Sequence, residues 1–139
     1  MTSTVQLNIT VPNTPGNLAT LTDKLRSAEV NINAITCSEG PNKTVVHLIV
    51  DDPETAKFAL QAQYGVSLSD VLVFKMKNKP GAIAGISRAC AAAGINIRNI
   101  YATTAGKGKE ATVYVLVDDI AKAEEKMKTW QKQFGALLA

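Results

Sequence analysis

The feature that most constrains this chain is a repeat at an offset of 65 residues. Asn13-Thr14-Pro15-Gly16 aligns with Asn78-Lys79-Pro80-Gly81, Ala28 with Ala93, Asn31-Ile32 with Asn96-Ile97, and Ile35 with Ile100. Two residues then enter the second copy, after which Val50-Asp51-Asp52 aligns with Val117-Asp118-Asp119 at an offset of 67. Self-similarity of this length means that each copy is one supersecondary unit. The boundary falls near Ser69-Asp70, which divides the chain into residues 1–69 and 70–139. No Pro/Gly/Ser-rich linker separates the copies, so they are expected to pack together and not to swing freely.

Each copy reads as βαββαβ. Residues 5–11 alternate apolar and polar, as a half-buried strand does. Pro15 sits where a first-turn proline is tolerated, with Thr14 before it as a candidate cap. Leu18, Leu21, Leu25 and Ala28 then form one apolar helix stripe. Strands are expected over 30–37 and 44–50, around a turn at Gly40-Pro41-Asn42, with the later strand central. A second helix opens at Asp51-Asp52-Pro53 and runs to Tyr64, with Ala56, Ala59 and Leu60 inward.

The second copy gives strands over 71–76, 95–102 and 111–117, and a helix stripe of Ile83, Ile86, Cys90 and Ala93 that ends at Gly94. Its last helix carries Ile120, Ala123, Met127, Trp130 and Phe134 on one side. The fourth strands fall on 66–68 and 135–139. The class is therefore α+β, two antiparallel sheets each with its helices on one face. A unit of about 65 residues has a small core and needs a partner. The other copy supplies one, and a homodimer could supply another.

Function classes narrow quickly. No apolar run approaches the roughly 18 residues that span a bilayer, and the N-terminus lacks a basic segment followed by an apolar block. Cys37 and Cys90 are far apart and form no C-x-x-C, so neither a disulfide framework nor a zinc site is expected, and a cytoplasmic location is the default. The net charge of +3 is unevenly shared. Residues 1–69 hold four Lys/Arg against six Asp/Glu, and residues 70–139 hold eleven against six. A basic second half could favour an anionic ligand or an acidic partner, but ordinary solubilising lysines on a helix face are the better reading.

The chemistry concentrates at the Pro-Gly steps. Gly16 lets backbone approach a ligand, and a helix start offers unpaired N–H groups and a positive dipole end to a carboxylate. Asn13 and Asn17 could add side-chain donors and acceptors, and Asn31 and Asn33 lie where the first helix hands over to the next strand. Turn and cap chemistry accounts for the same asparagines.

Asn-x-Pro-Gly, an apolar helix, then Gly/Val-Asn-Ile in a βαββαβ order resembles the ACT domain. Both copies carry the pattern, over roughly residues 4–130. The resemblance implies two ferredoxin-like units in a small amino-acid-binding protein that regulates amino-acid metabolism and needs no cofactor. It places the ligand at interfaces between units, between the loop after the first strand of one and the second-strand start of a neighbour. Carried onto this sequence, the site is Asn13, Gly16, Asn17 and Leu18 with Asn31 and Ile32. In the second copy it is Asn78, Lys79, Gly81, Ala82 and Ile83 with Asn96 and Ile97. The second copy departs at Ala82, where the first has Asn17, and at Lys79, where the first has Thr14. Lys79 could pair with a carboxylate.

Other readings are bland. His47 is the lone histidine and sits within a strand, with no nucleophile setting around it. Asp51-Asp52 and Asp118-Asp119 read as helix caps, and a metal would need more converging ligands. Gly106-Lys107-Gly108-Lys109 lacks P-loop spacing and reads as a hairpin tip. Cys37 and Cys90 read as packing residues. No enzymatic activity is expected. The alternatives are a regulatory subunit of an amino-acid biosynthetic enzyme, which would have an enzyme partner, and an RNA-binding protein of the same strand order. The latter stacks bases on aromatics of its first and third strands. Here only Phe74 and Tyr114 stand there, so no nucleic-acid partner is expected.

Overall fold

Period-two alternation decides which side of each strand is covered. In β1 (Thr2–Pro12), Leu7, Ile9 and Val11 are buried while Asn8 and Thr10 face away. The computed structural model describes residues 2–138. The remaining elements are α1 (Asn17–Ser27), β2 (Ile32–Glu39), β3 (Lys43–Val50), α2 (Pro53–Gln61), β4 (Gly65–Lys77), α3 (Ala82–Ala92), β5 (Ile97–Thr104), β6 (Glu110–Val117) and α4 (Ile120–Leu138). Among the described residues the protein is thus α+β, with six strands, four helices and antiparallel pairing.

The chain divides into two compact units, residues 5–69 and residues 2–4 with 70–138. In the first, strands run in the order β2-β3-β1-β4. β1 pairs β3 with Leu7 opposite Leu48 and Ile9 opposite Val46, and β2 pairs β3 with Ile35 opposite Leu48. Its core joins Leu7, Ile9, Val46 and Leu48 to Leu21 and Leu25 of α1 and to Ala56 and Leu60 of α2. Both helices therefore cover one face. In the second unit β6 lies between β4 and β5, with Phe74 opposite Val113 and Ile100 opposite Val115. Leu72, Phe74, Val113 and Val115 meet Ile86 and Cys90 of α3 and Ala123, Met127 and Trp130 of α4. Fully burying each Leu, Ile, Val, Phe or Met among them contributes about 1.5–3 kcal/mol.

Two expectations need correction. Residues 135–138 continue α4 and are not a fourth strand, while Ala139 and the side chain of Phe134 lie outside the described residues. Nothing in that segment breaks the helix; its glycine costs only about 1 kcal/mol in a helix interior. The segments expected over 66–68 and 71–76 are one strand of 13 residues, β4. Its residues 65–69 belong to the first unit and 70–77 to the second, and residues 2–4 of β1 group with the second unit. Ser67, Ser69 and Asp70 hide the continuity because they interrupt the apolar pattern without stopping the backbone.

Candidate functional site

Both helices that follow a Pro-Gly step open in the same way. Gly16 is the N-cap of α1 at φ 90°, and Gly81 is the N-cap of α3 at φ 93°. This left-handed conformation suits glycine, which has no Cβ to collide with the following carbonyl. Neither start is capped by a side chain. Thr14, expected as a cap, is not one: the helix opens two residues later, and Pro15 precedes the cap instead of occupying the first turn. The first-turn N–H groups of both helices have no partner inside the helix, and the dipole adds partial positive charge there; in α3 the first of them, Ala82 N–H, donates to the Lys79 carbonyl at 3.1 Å, which leaves the later ones.

The next residue but one is exposed and apolar in both copies. Leu18 is 44% exposed and Ile83 43%, so each departs from the core stripe assigned to it. The stripes proper are Leu21 and Leu25, and Ile86 and Cys90. An uncapped helix start flanked by an exposed aliphatic side chain can hold a carboxylate whose neighbouring carbon carries an apolar group.

The asparagines are largely committed to the protein itself. Asn13 donates Nδ2 to Glu39 Oε1 at 3.0 Å, and its backbone N–H to the Asn42 carbonyl at 3.2 Å, which ties the β1–α1 loop to the β2–β3 hairpin tip. Asn17 donates Nδ2 to the Pro12 carbonyl at 3.0 Å and also to Thr14. Asn78 donates its N–H to the Lys109 carbonyl at 2.8 Å and accepts from Gly108 N–H at 2.7 Å, so the 106–109 hairpin tip seats on the second loop. Ala82, the counterpart of Asn17, is buried in the core. Lys79 lies exposed in the loop before Gly81.

Asn31 and Asn96 show a relation that the spacing did not reveal. Asn31 N–H donates to Asp51 Oδ1 at 2.9 Å, and Asp51 N–H donates back to the Asn31 carbonyl at 3.1 Å. Asn96 and Asp118 repeat the pair at 3.0 and 3.1 Å. Asp51 and Asp118 are therefore not helix caps, as expected, but clamps on the strand starts. The capping falls to their neighbours: Asp52 Oδ1 accepts from Thr55 N–H, and Asp119 Oδ1 from Lys122 N–H. The Thr55 hydroxyl, then its N–H, hold the Asp52 carboxyl below its ordinary value.

Within one unit the structure does not bring the two halves of the candidate site together. Asn13 contacts Glu39 at the end of β2, whereas Asn31 and Ile32 stand at its beginning. β2 has eight residues, so these ends are about 25 Å apart at roughly 3.3 Å per residue. The same holds for Asn78 and Gly81 against Asn96 and Ile97, which flank opposite ends of β5.

A polar cluster on the face of the first unit opposite its helices was missed as a group. Gln6, fully buried, donates Nε2 to Asn8 Oδ1 at 2.7 Å. His47 Nδ1 lies 2.8 Å from the same oxygen, and Asn8 donates Nδ2 to Ser69 Oγ at 2.9 Å. Burial lowers the His47 pKa. Phe74 and Tyr114 are both buried and present no platform to a nucleic-acid base. Tyr114 stacks on Tyr101 at 5.3 Å, and burial raises the Tyr101 phenol, with Tyr114 adding to it. Among the described residues no three His, Cys, Asp or Glu side chains group as metal ligands, and no helix is long and apolar enough to cross a membrane.

Residues 71–135 match the model of the ACT domain. Among solved structures, protein BT0572 from Bacteroides thetaiotaomicron is similar at 27% identity and a TM-score of 0.84, over 93% of this chain and 89% of that one. The regulatory subunit of aspartate kinase from Thermus thermophilus, in ligand-free form, is similar at 19% identity and a TM-score of 0.59, over 83% and 87%. The aspartokinase alpha and beta subunits are similar at 17% identity and a TM-score of 0.63, over 96% and 92%. The last two likenesses show the fold alone. No curated relative matches the sequence.

Proposed function

We propose that this chain is a non-catalytic regulatory protein that binds a small amino acid through two ACT units, residues 1–69 and 70–139. The observation that carries the reading is the uncapped glycine start of α1 and of α3, each beside an exposed aliphatic residue. In this reading the ligand carboxylate meets the first-turn N–H groups, and its side chain lies against Leu18 or Ile83. The α-ammonium meets backbone oxygens at the Asn-Ile start of a second strand.

Because those two halves stand at opposite ends of one unit, a ligand touching both is shared with a neighbouring ACT unit, which a homodimer supplies. The first copy keeps Asn13, Gly16, Asn17 and Leu18 against Asn31 and Ile32. The second keeps Asn78, Lys79, Gly81, Ala82 and Ile83 against Asn96 and Ile97. Ligand occupancy then favours one arrangement of units by its differential affinity, and this is the regulatory signal. The protein is cytoplasmic in this account.

A second reading is a separate regulatory subunit of an amino-acid biosynthetic enzyme. It is favoured by the likeness in fold to the regulatory subunit of aspartate kinase. A thermal-shift screen of the standard amino acids tests the first reading, because a ligand bound only by the folded state raises its stability. Co-purification with a large catalytic chain separates the second from the first.

A further inference from the structure

The two units carry the same inter-helical groove, but the second copy has been rebuilt. Between α1 and α2 the groove is lined by Thr20, Asp23, Lys24 and Ser27, with Phe58 at its lip. At the 65-residue offset the groove between α3 and α4 is lined by Gly85, Arg88, Ala89 and Ala92, over about 430 Å³. Threonine, lysine and serine have become glycine and alanine, and the aspartate has become arginine. The floor is thereby stripped to small side chains beside Trp130, which lets a second backbone approach closely.

The rim has gained positive charge as well. Lys126 stands across from Arg88, and Lys128 and Lys132 line the adjoining depression on α4. Among the described residues no acidic side chain lines either depression, and Glu124 and Glu125 of α4 lie outside both. The first groove is balanced between Asp23 and Lys24.

We infer that the α3–α4 groove is a docking site for an acidic amphipathic helix of another protein. Its apolar face would seat on Gly85, Ala89 and Ala92, and its carboxylates would meet Arg88, Lys126, Lys128 and Lys132. This is the helix-in-groove mode, with charge complementarity setting the choice of partner. The site is separate from the Pro-Gly helix starts, so it stands or falls independently of ligand binding. Nucleic acid would also meet the positive rim, but the groove offers it no exposed aromatic to stack on.

The experiment titrates the full chain with a synthetic amphipathic helix bearing leucines on one face and glutamates on the other. The emission of Trp130, the sole tryptophan, is the readout. The inference predicts a saturable change that weakens with added salt. It predicts at least about tenfold weaker binding in Arg88→Glu/Lys126→Glu, and weakening also in Ala92→Leu, which fills the floor without altering charge. Asp23→Lys in the other groove leaves binding unchanged. Circular dichroism confirms that each variant, altered at exposed positions, is folded. Equal binding of a control peptide with lysines in place of the glutamates would overturn the inference, as would full affinity in the double variant or no response at about 1 mM peptide. It is equally overturned if the double variant abolishes self-association, which makes a second copy the occupant, or if single-stranded RNA displaces the peptide.

Discussion

Asp51 and Asn31 hold each other by a reciprocal pair of hydrogen bonds, carboxylate to backbone N–H at 2.9 Å and backbone N–H to carbonyl at 3.1 Å. The pair fixes the start of β2 against the end of β3, and Asp118 with Asn96 does the same for β5 and β6. Removing the carboxylate leaves a strand-start N–H to water and loosens the point where the proposed ligand meets its second strand. Asp51→Ala and Asp118→Ala should each lower stability by about 1 kcal/mol. Asp51→Asn, whose amide oxygen can still accept, should cost less. Urea unfolding with an unchanged slope but a lower midpoint checks this.

The C-terminal ends of α1 and α3 share one geometry on different residues. Val30 N–H reaches the Leu25 carbonyl at 2.9 Å, and Ile95 N–H the Cys90 carbonyl at 2.9 Å. The left-handed residue between is Gly94 in one and Glu29, at φ 59°, in the other. Glutamate there carries a backbone penalty that glycine does not. Glu29→Gly should stabilise the protein by about 0.5–1 kcal/mol, and Gly94→Glu should destabilise it by a similar amount. Thermal melts of both variants decide it, since a structural role for the Glu29 side chain would reverse the first sign.

His47 gives the fold a weak dependence on acid. Burial places its folded pKa below the ordinary 6.5, so the unfolded chain takes up the proton first. Stability is therefore full above 6.5, falls as pH drops from there to the lowered folded value, and levels below it. His47→Gln should remove that step. Urea midpoints across this range check it, and a step that persists in the variant would assign the effect elsewhere.

Leu18 and Ile83 sit at the second helical position after Gly16 and Gly81. A glutamate there complements the helix dipole and projects a rival carboxylate beside the proposed ligand site. Leu18→Glu and Ile83→Glu should leave the unfolding free energy of the free protein nearly unchanged, within about ±0.5 kcal/mol for exposed sites. Each should weaken amino-acid binding at its own site by about tenfold or more, a loss of roughly 1.4 kcal/mol. Calorimetric titration of the two variants separately also tells how many sites are occupied.

How much was legible follows from which signals are local. Leu21 and Leu25, and Ile86 and Cys90, were placed by period alone, and Gly94 by its place after the helix. Leu18 and Ile83 fit the same period, yet they are exposed, and in α3 it is the neighbouring Ala82 that meets the core in the first turn. The Pro-Gly steps identified the helix starts within two residues, but not that glycine itself would be the cap. The clamp of Asp51 on Asn31 joins residues 20 apart, and β4 continues through Ser67, Ser69 and Asp70; both depend on pairings that no local pattern contains. The separation of Asn13 from Ile32 along β2 was likewise invisible until the strand was laid out.

The most direct measurement of the central claim is calorimetric titration with whichever amino acid raises the melting temperature, set beside its carboxamide counterpart. If α1 or α3 grips a carboxylate with free amide hydrogens, the amino acid binds and the carboxamide, neutral at that end, binds at least about tenfold more weakly. Equal affinity for the two, or no response to any standard amino acid, would contradict the account.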